Sequence, residues 1–214
     1  MLVLDHIKLS LDSYSLTADF SINAGTRVAV MGPSGAGKSS LLSAIAGFIA
    51  PTSGGIWLDG QNLTARDPAQ RPVSVLFQDQ NLFPHLTLLQ NVVLGLTAGR
   101  RATAAQLAQA DAALAKVGLA GFSGRKPAQV SGGQMGRAAL ARVLLQARPI
   151  LLLDEPFAAL DSDLRHQMLD LVVQVAAQTN ATILMVTHDD RDAVRFATHV
   201  IDVDHGVAQP PRST

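Results

Sequence analysis

Residues 27–48 read RVAVMGPSGAGKSSLLSAIAGF, and the order of residue types in this stretch decides the fold. RVAVM is a short run that is apolar after Arg27, as in a strand buried on both faces. Glycines follow at 32, 35 and 37, and from Lys38 to Phe48 the apolar residues fall at helical spacing. Strand, glycine loop and helix together form the repeating unit of nucleotide-binding α/β sheets. Within GPSGAGKS, the residues Gly32, Gly37, Lys38 and Ser39 stand at the spacing of a P-loop. The backbone through Gly32, Pro33, Ser34, Gly35, Ala36 and Gly37 curls so that successive N–H groups aim at phosphate oxygens. Lys38 reaches the terminal phosphates, Ser39 offers a hydroxyl to Mg2+, and Ser40 continues the helix start.

Upstream, residues 2–10 and 14–23 read as strands joined by a turn near Asp12 and Ser13. Downstream, PTSGG at 51–55 is a turn, and strands are expected at Ile56–Asp59 and Val73–Phe77. From about Leu82 to Ala147 the pattern turns mostly helical, clearest over Ala104–Val117, with a glycine-bearing break at Gly118–Gln129. Strand signals return at Ile150–Asp154, Thr182–Thr187 and His199–Val203. The expected architecture is one α/β domain over 1–206. Its core covers 1–81 and 148–206, with an antiparallel β portion at the N-terminus, and a helical subdomain is inserted at about 82–147. Residues 207–214, ending QPPRST, are expected to form a flexible tail.

Composition narrows the function classes. Lysine plus arginine and aspartate plus glutamate both total 17 in 214 residues, so no overall field favours nucleic acid or an anionic membrane, and anion binding has to be local. The absence of cysteine excludes disulfides, zinc thiolates and thiol nucleophiles. MLVLDHIKLSLDSY carries Asp5, His6 and Lys8 and does not read as a secretion signal. No run approaches the roughly 18 apolar residues of a membrane span, so work at a membrane implies a spanning partner.

Several residues are expected at the carboxyl ends of the parallel strands, where open α/β sheets bind ligands. ILLLDEP at 150–156 ends a buried strand in Asp154, suited to hold Mg2+ with Ser39, and Glu155, suited to polarise an attacking water. Gln78 follows VSVLF and His188 follows TILMVT in the same way. His6, His85, His166, His199 and His205 lack that setting and read as structural. VSGGQMGR at 130–137 looks like a second anion-binding helix start, although Ser131 would equally serve as a helix cap.

The order and spacing of GPSGAGKS, Gln78, VSGGQ, ILLLDEP, AALD at 158–161 and His188 resemble the ATP-binding cassette (ABC) ATPases over about residues 1–206. SGGQ separates that family from kinases and GTPases, which also carry P-loops. The resemblance implies ATP and Mg2+ as ligands. It implies a γ-phosphate sensor role for Gln78, also a Mg2+ ligand, and for His188, and an inter-subunit role for Asp161. It further implies a head-to-tail homodimer in which Ser131, Gly132, Gly133 and Gln134 of one copy close on the ATP held by the P-loop of the other. Within the family the chain is most similar to the ATPases of bacterial thiamine importers, through RPVSVLFQDQNLFPHLT and QNVVLGL. That similarity implies a membrane permease as partner, a periplasmic solute-binding protein acting through it, and a peripheral place on the cytoplasmic face of the inner membrane. A non-transport ABC ATPase and an importer of another small solute are the alternatives.

Three departures from the family carry expectations. Val130 replaces a usual leucine at little cost. Met135 and Gly136 stand where polar residues are common, and a glycine in a first helical turn costs about 1 kcal/mol against alanine. Slow hydrolysis or weak dimerisation is expected, with glutamine at 136 raising the rate. The family usually carries an adenine-stacking aromatic residue at a spot nearer Leu11, and Tyr14 is the only nearby tyrosine here. Leu82, Phe83, Leu86 and Leu88 exceed what a solvated loop wants: each is expected either to offer an apolar face to the permease or to pack on the core of the helical insertion.

Overall fold

The computed structural model describes residues 1–11, 14–77, 82–97, 101–158 and 160–214. Strands β1 (Leu2–Leu11) and β2 (Tyr14–Ile22) pair antiparallel. Their period of two sends Leu2, Leu4, Ile7 and Leu9 of one and Leu16, Ala18, Phe20 and Ile22 of the other into the core. The switch from even to odd positions in β1 falls at a bulge between Leu4 and Ile7, where His6 takes φ +47°.

The chain then supplies β3 (Arg27–Met31), α1 (Lys38–Ala46), β4 (Ser53–Leu58), β5 (Gln61–Asn62) and β6 (Val73–Leu76). Three helices follow, α2 (Leu88–Thr97), α3 (Ala104–Lys116) and α4 (Gly132–Leu145), which pack on one another. The order closes with β7 (Ile150–Asp154), α5 (Ser162–Thr179), β8 (Thr182–Val186), α6 (Asp190–Phe196), β9 (His199–Asp204), β10 (Val207–Ala208) and β11 (Arg212–Ser213). The strands form one sheet in the order β5-β4-β1-β2-β10-β9-β3-β8-β7-β6, with β11 also on β9. The run β9-β3-β8-β7-β6 is parallel and the β5-β4-β1-β2 end antiparallel, as a P-loop α/β core with an antiparallel β portion requires.

The parallel strands are buried on both faces, and the faces lead to different cores. Val28, Val30, Leu152, Leu184 and Val186 join α1 and the antiparallel strands. Ala29, Leu151, Leu153, Ile183 and Met185 join α2 through α6. Thus α1 and α4 lie on opposite faces of the sheet.

Helix α1 stops two residues short of the expected Phe48 because Gly47 turns left-handed (φ +92°) and its N–H bonds back to Ser43 and Ala44 carbonyls. A Cβ at Gly47 would sit 2.5 Å from Arg71 Nε. Arg71 is buried and answers the helix end: Nη1 donates to the Ala44 and Ile45 carbonyls at 2.8 and 2.9 Å. Nη2 donates to Thr64 O, and Nε to Arg66 O. A cation at a helix C-terminus also meets the negative end of its dipole. Arg71→Met leaves these carbonyls buried without a donor. It is expected to cost about 2–4 kcal/mol, which a thermal melt reads as a Tm lowered by roughly 5–15 °C in a chain of this size.

The flexible tail expected over 207–214 is corrected. Val207 and Ala208 insert between β2 and β9, and Arg212 and Ser213 pair with Val200 and His199. Arg212 donates to Asp202 at 3.0 Å and the Thr214 N–H to Thr198 O at 3.2 Å. The reason is the sheet: β2 and β9 would otherwise show unpaired backbone groups between its two halves. Pro210 and Pro211, which signal disorder in the sequence, fall between the two short strands, where no N–H is demanded of them.

Candidate functional site

The P-loop joins the carboxyl end of β3 to α1. Gly32 has φ +141°, and a Cβ there would fall 2.0 Å from the Val203 carbonyl of β9. Gly37 has φ +103° and caps α1 with no side-chain bond, so the helix start keeps N–H groups for an anion. Lys38 is buried, and its Nζ donates to the Gly32 and Pro33 carbonyls at 2.9 and 2.8 Å. It therefore holds the loop closed around its own ammonium. Pro33, Ser34, Gly35 and Ser39 are exposed at the rim and Ala36 is half-buried. Ser40 is hydrogen-bonded through Oγ to Tyr14 Oη, and the Tyr14 ring lies beside Gly37. Tyr14 thus belongs to the wall of the P-loop.

Two neighbouring strands deliver the acids and the imidazole. Asp154 ends β7 buried, with Ser39, Lys38 and Glu155 within electrostatic reach of its carboxylate. Burial pushes its carboxyl above the usual range, against the pull of Ser39 and Lys38. A buried carboxylate whose charge is under-compensated, beside a hydroxyl, is a hard-oxygen donor set that fits Mg2+. Glu155 follows in the left-handed region (φ +46°), its N–H donating to Val186 O at 3.2 Å. Such a conformation in a non-glycine residue costs on the order of 1–3 kcal/mol and clusters at functional sites. It brings Glu155 Oε2 to 3.7 Å from His188 Nδ1. Lys38, Ser39, Asp154, Glu155 and His188 therefore gather at one end of the parallel sheet. Gln78 lies outside the described residues.

The expected second half stands elsewhere. Ser131 caps α4, accepting from the Gln134 N–H at 3.3 Å while Gln134 Oε1 accepts from the Ser131 N–H at 2.9 Å. Both readings of Ser131 are compatible here: the cap is made, and the helix start remains open toward solvent. A Cβ on Gly132 would meet nothing within 4 Å, and the first-turn N–H groups of Gly132 and Gly133 have no partner within the helix. This start belongs to the helix on the other face of the sheet from α1. Asp161 caps α5, accepting from the Leu164 N–H at 3.0 Å.

Two expectations change. Gly136 is buried within the chain, so a side chain there is expected to crowd the chain's own atoms. Gly136→Gln is expected to overpack it by about 1–3 kcal/mol, lowering Tm by some 2–12 °C with no gain in rate; a melt and an ATPase assay check both. Of the apolar residues expected on the permease face, Leu88 is buried, Leu82 packs on the core and Leu86 is partly covered. Phe83 stays 47% exposed, and so does Phe48, at 58%, stacked edge-on against Phe77 at 5.3 Å.

Sequence reasoning missed a network behind His188. Asp189 caps α6 and pairs with Arg165 and Arg191. Hydrogen bonds from Arg191 hold its carboxyl down at about 2. Only the acidic run Asp189-Asp190 after His188 hinted at it.

Residues 16–158 match the ABC transporter family profile. The chain belongs to the ABC transporter family. This ABC ATPase is 55% identical over its whole length to a thiamine import ATP-binding protein of Cereibacter sphaeroides, covering 93% of that protein. A Ruegeria protein of the same description is 51% identical over all 214 residues, with 93% coverage of that protein. One from Yersinia pseudotuberculosis is 52% identical over 96% of this chain and 87% of its own. Among solved structures, the ATP-binding cassette MJ0796 in a dimeric post-hydrolysis state bound to ADP and Pi superposes with a TM-score of 0.88. It is 30% identical and is matched over 100% of this chain and 98% of its own. Among the described residues of this ABC ATPase no helix is long and apolar enough to cross a membrane.

Proposed function

We propose that this ABC ATPase powers thiamine import, working as a head-to-tail homodimer beneath a membrane permease. The observation that carries the mechanism is the separation of two anion-ready helix starts, at Gly37 and at Ser131, onto opposite faces of one sheet. Neither is a complete site. A two-fold dimer supplies each P-loop with the partner's Ser131–Gln134 segment, and the dimeric MJ0796 structures support that assembly.

In this reading Gly32–Ser40 bind the ATP phosphates and Lys38 exchanges its loop carbonyls for phosphate oxygens. Glu155 takes the proton of the attacking water while His188, 3.7 Å away, holds the γ-phosphate side of the site. Gln78 senses the same phosphate, and Asp161 lies at the subunit boundary. Ser39, Asp154 and Gln78 would hold Mg2+, which when bound neutralises charge on the phosphates. The Ser131–Gln134 helix start places N–H donors on the far side of the γ-phosphate, so hydrolysis waits on closure of the dimer.

Identity of 51–55% with thiamine import proteins along nearly the whole chain supports the cargo. The permease would seat near exposed Phe48 and Phe83 on the cytoplasmic face of the inner membrane, with a periplasmic solute-binding protein delivering thiamine from the other side. The test is ATP hydrolysis by the chain reconstituted with its permease in vesicles. Thiamine with its binding protein is expected to raise the rate severalfold, whereas stimulation by another solute alone contradicts the assignment.

A further inference from the structure

Helix α5 starts at Asp161 and presents Arg165 one turn later, the Arg165 N–H bonded to the Asp161 carbonyl at 2.9 Å. The guanidinium crosses to the turn after β8. Nη1 donates to Asp189 Oδ2 at 3.1 Å and lies 3.8 Å from Asp192 Oδ2. Asp189 directly follows His188. Its Oδ1 accepts the Arg191 N–H at 2.9 Å, and its own N–H donates to Thr187 Oγ1 at 3.2 Å. Arg165 and Asp189 side chains are only 21% and 16% exposed, whereas Arg191, the other cation on Asp189, is 84% exposed and its pairing is screened by water. The His188 side chain is 67% exposed, so its place is set by the backbone of this turn and not by packing of its own. Glu155, His188, Asp189 and Arg165 line the same small cavity. Arg165 Nε is buried with no partner among the described residues.

We propose that Arg165 is a positioning residue for hydrolysis: its clamp on Asp189 holds the His188 turn against Glu155 and ties that turn to the helix that begins at Asp161. The proposal rests on the reading of His188 and Glu155 given above. Arg165 acts through the placement of His188, and displacement of a catalytic group by about 1 Å costs up to 100-fold in rate.

The test is steady-state ATP hydrolysis by the full chain as Arg165→Met, Arg165→Lys, His188→Ala and the Arg165→Met/His188→Ala double variant. Arg165→Met is expected to lower kcat about tenfold while the KM for ATP stays within about twofold. Arg165→Lys, which keeps a cation in reach of Asp189, recovers most of that loss. In the His188→Ala background, Arg165→Met lowers kcat no further, because its route to the chemistry is already gone. Wild-type kcat in Arg165→Met, a rise in KM that accounts for the loss, or full multiplication of the two losses overturns the proposal. A normal kcat in His188→Ala would overturn the reading of His188 and the proposal together. A large loss in His188→Ala with none in Arg165→Met overturns the proposal alone. If Arg165→Met does not fold, Asp189→Asn takes its place in the same cycle, with the same deciding outcomes.

Discussion

Glu155→Gln is expected to cut ATP hydrolysis severely and to leave ATP binding intact. The carboxylate at the end of β7 is turned toward His188 by a left-handed backbone, φ +46°, and braced by its N–H on Val186. Glutamine is isosteric and keeps that brace, so the loop and the neighbouring Asp154 are undisturbed. What is lost is the base. A positioned acid–base group contributes about 10²–10⁴-fold, and kcat is expected to fall by that factor with the affinity for ATP unchanged. Bound ATP then persists, and the variant is expected to elute as a dimer with MgATP and as a smaller species without it. A Glu155→Gln protein that stays monomeric with ATP and hydrolyses at the normal rate defeats the assignment.

The second large effect falls on Lys38. Its ammonium is buried and bonded to Gly32 and Pro33 carbonyls, so it shapes the loop and, in the function proposed, exchanges those carbonyls for the phosphate. Lys38→Ala removes both. A hydrogen bond to a charged group is worth about 1.5–3 kcal/mol, which predicts a loss of roughly 10- to 150-fold in ATP affinity, measurable by calorimetry. Because the ammonium sits in an enclosed loop, Lys38→Arg is expected to restore little, the fork being too broad for the two carbonyls. An affinity unchanged in Lys38→Ala would mean that the loop does not carry the phosphates.

The parts of this fold that were legible in the sequence share one property: their signal is local. RVAVM, ILLLD and TILMV are short apolar runs with breakers beside them, and each became a parallel strand within a residue of its expected ends. Asp154, Glu155 and His188 were legible for the same reason, standing at or just past the end of a strand, and Lys38 and Ser39 through the fixed spacing of the glycine loop that follows one. The errors came from contacts between distant segments. Residues 207–214 look disordered by themselves but are paired because β2, 190 positions from its partner residues Val207 and Ala208, and the nearby β9 both need partners. Helix α1 ends early at the left-handed Gly47, and its last carbonyls are satisfied by Arg71, 24 residues further on. Gly136 looked like a missing contact until its burial in the α4 core was on view. The Arg165–Asp189 clamp joins two ordinary charged residues 24 apart, and no spacing rule points to such a pair. Gln78 and Ala159, expected beside the nucleotide and in the AALD segment, lie outside the described residues.

The central claim is that each ATP site is completed by a second copy of the chain, and the absence of cysteine makes a direct measurement available. One chain carries Ser34→Cys at the exposed P-loop rim and another Ser131→Cys at the α4 start, both with Glu155→Gln. The two are mixed and treated with a short thiol cross-linker, with and without MgATP. The predicted result is an ATP-dependent covalent dimer that forms in the mixture and not in either variant alone. Cross-linking that ignores ATP, or that arises equally between two Ser34→Cys chains, would contradict a site shared between P-loop and SGGQ.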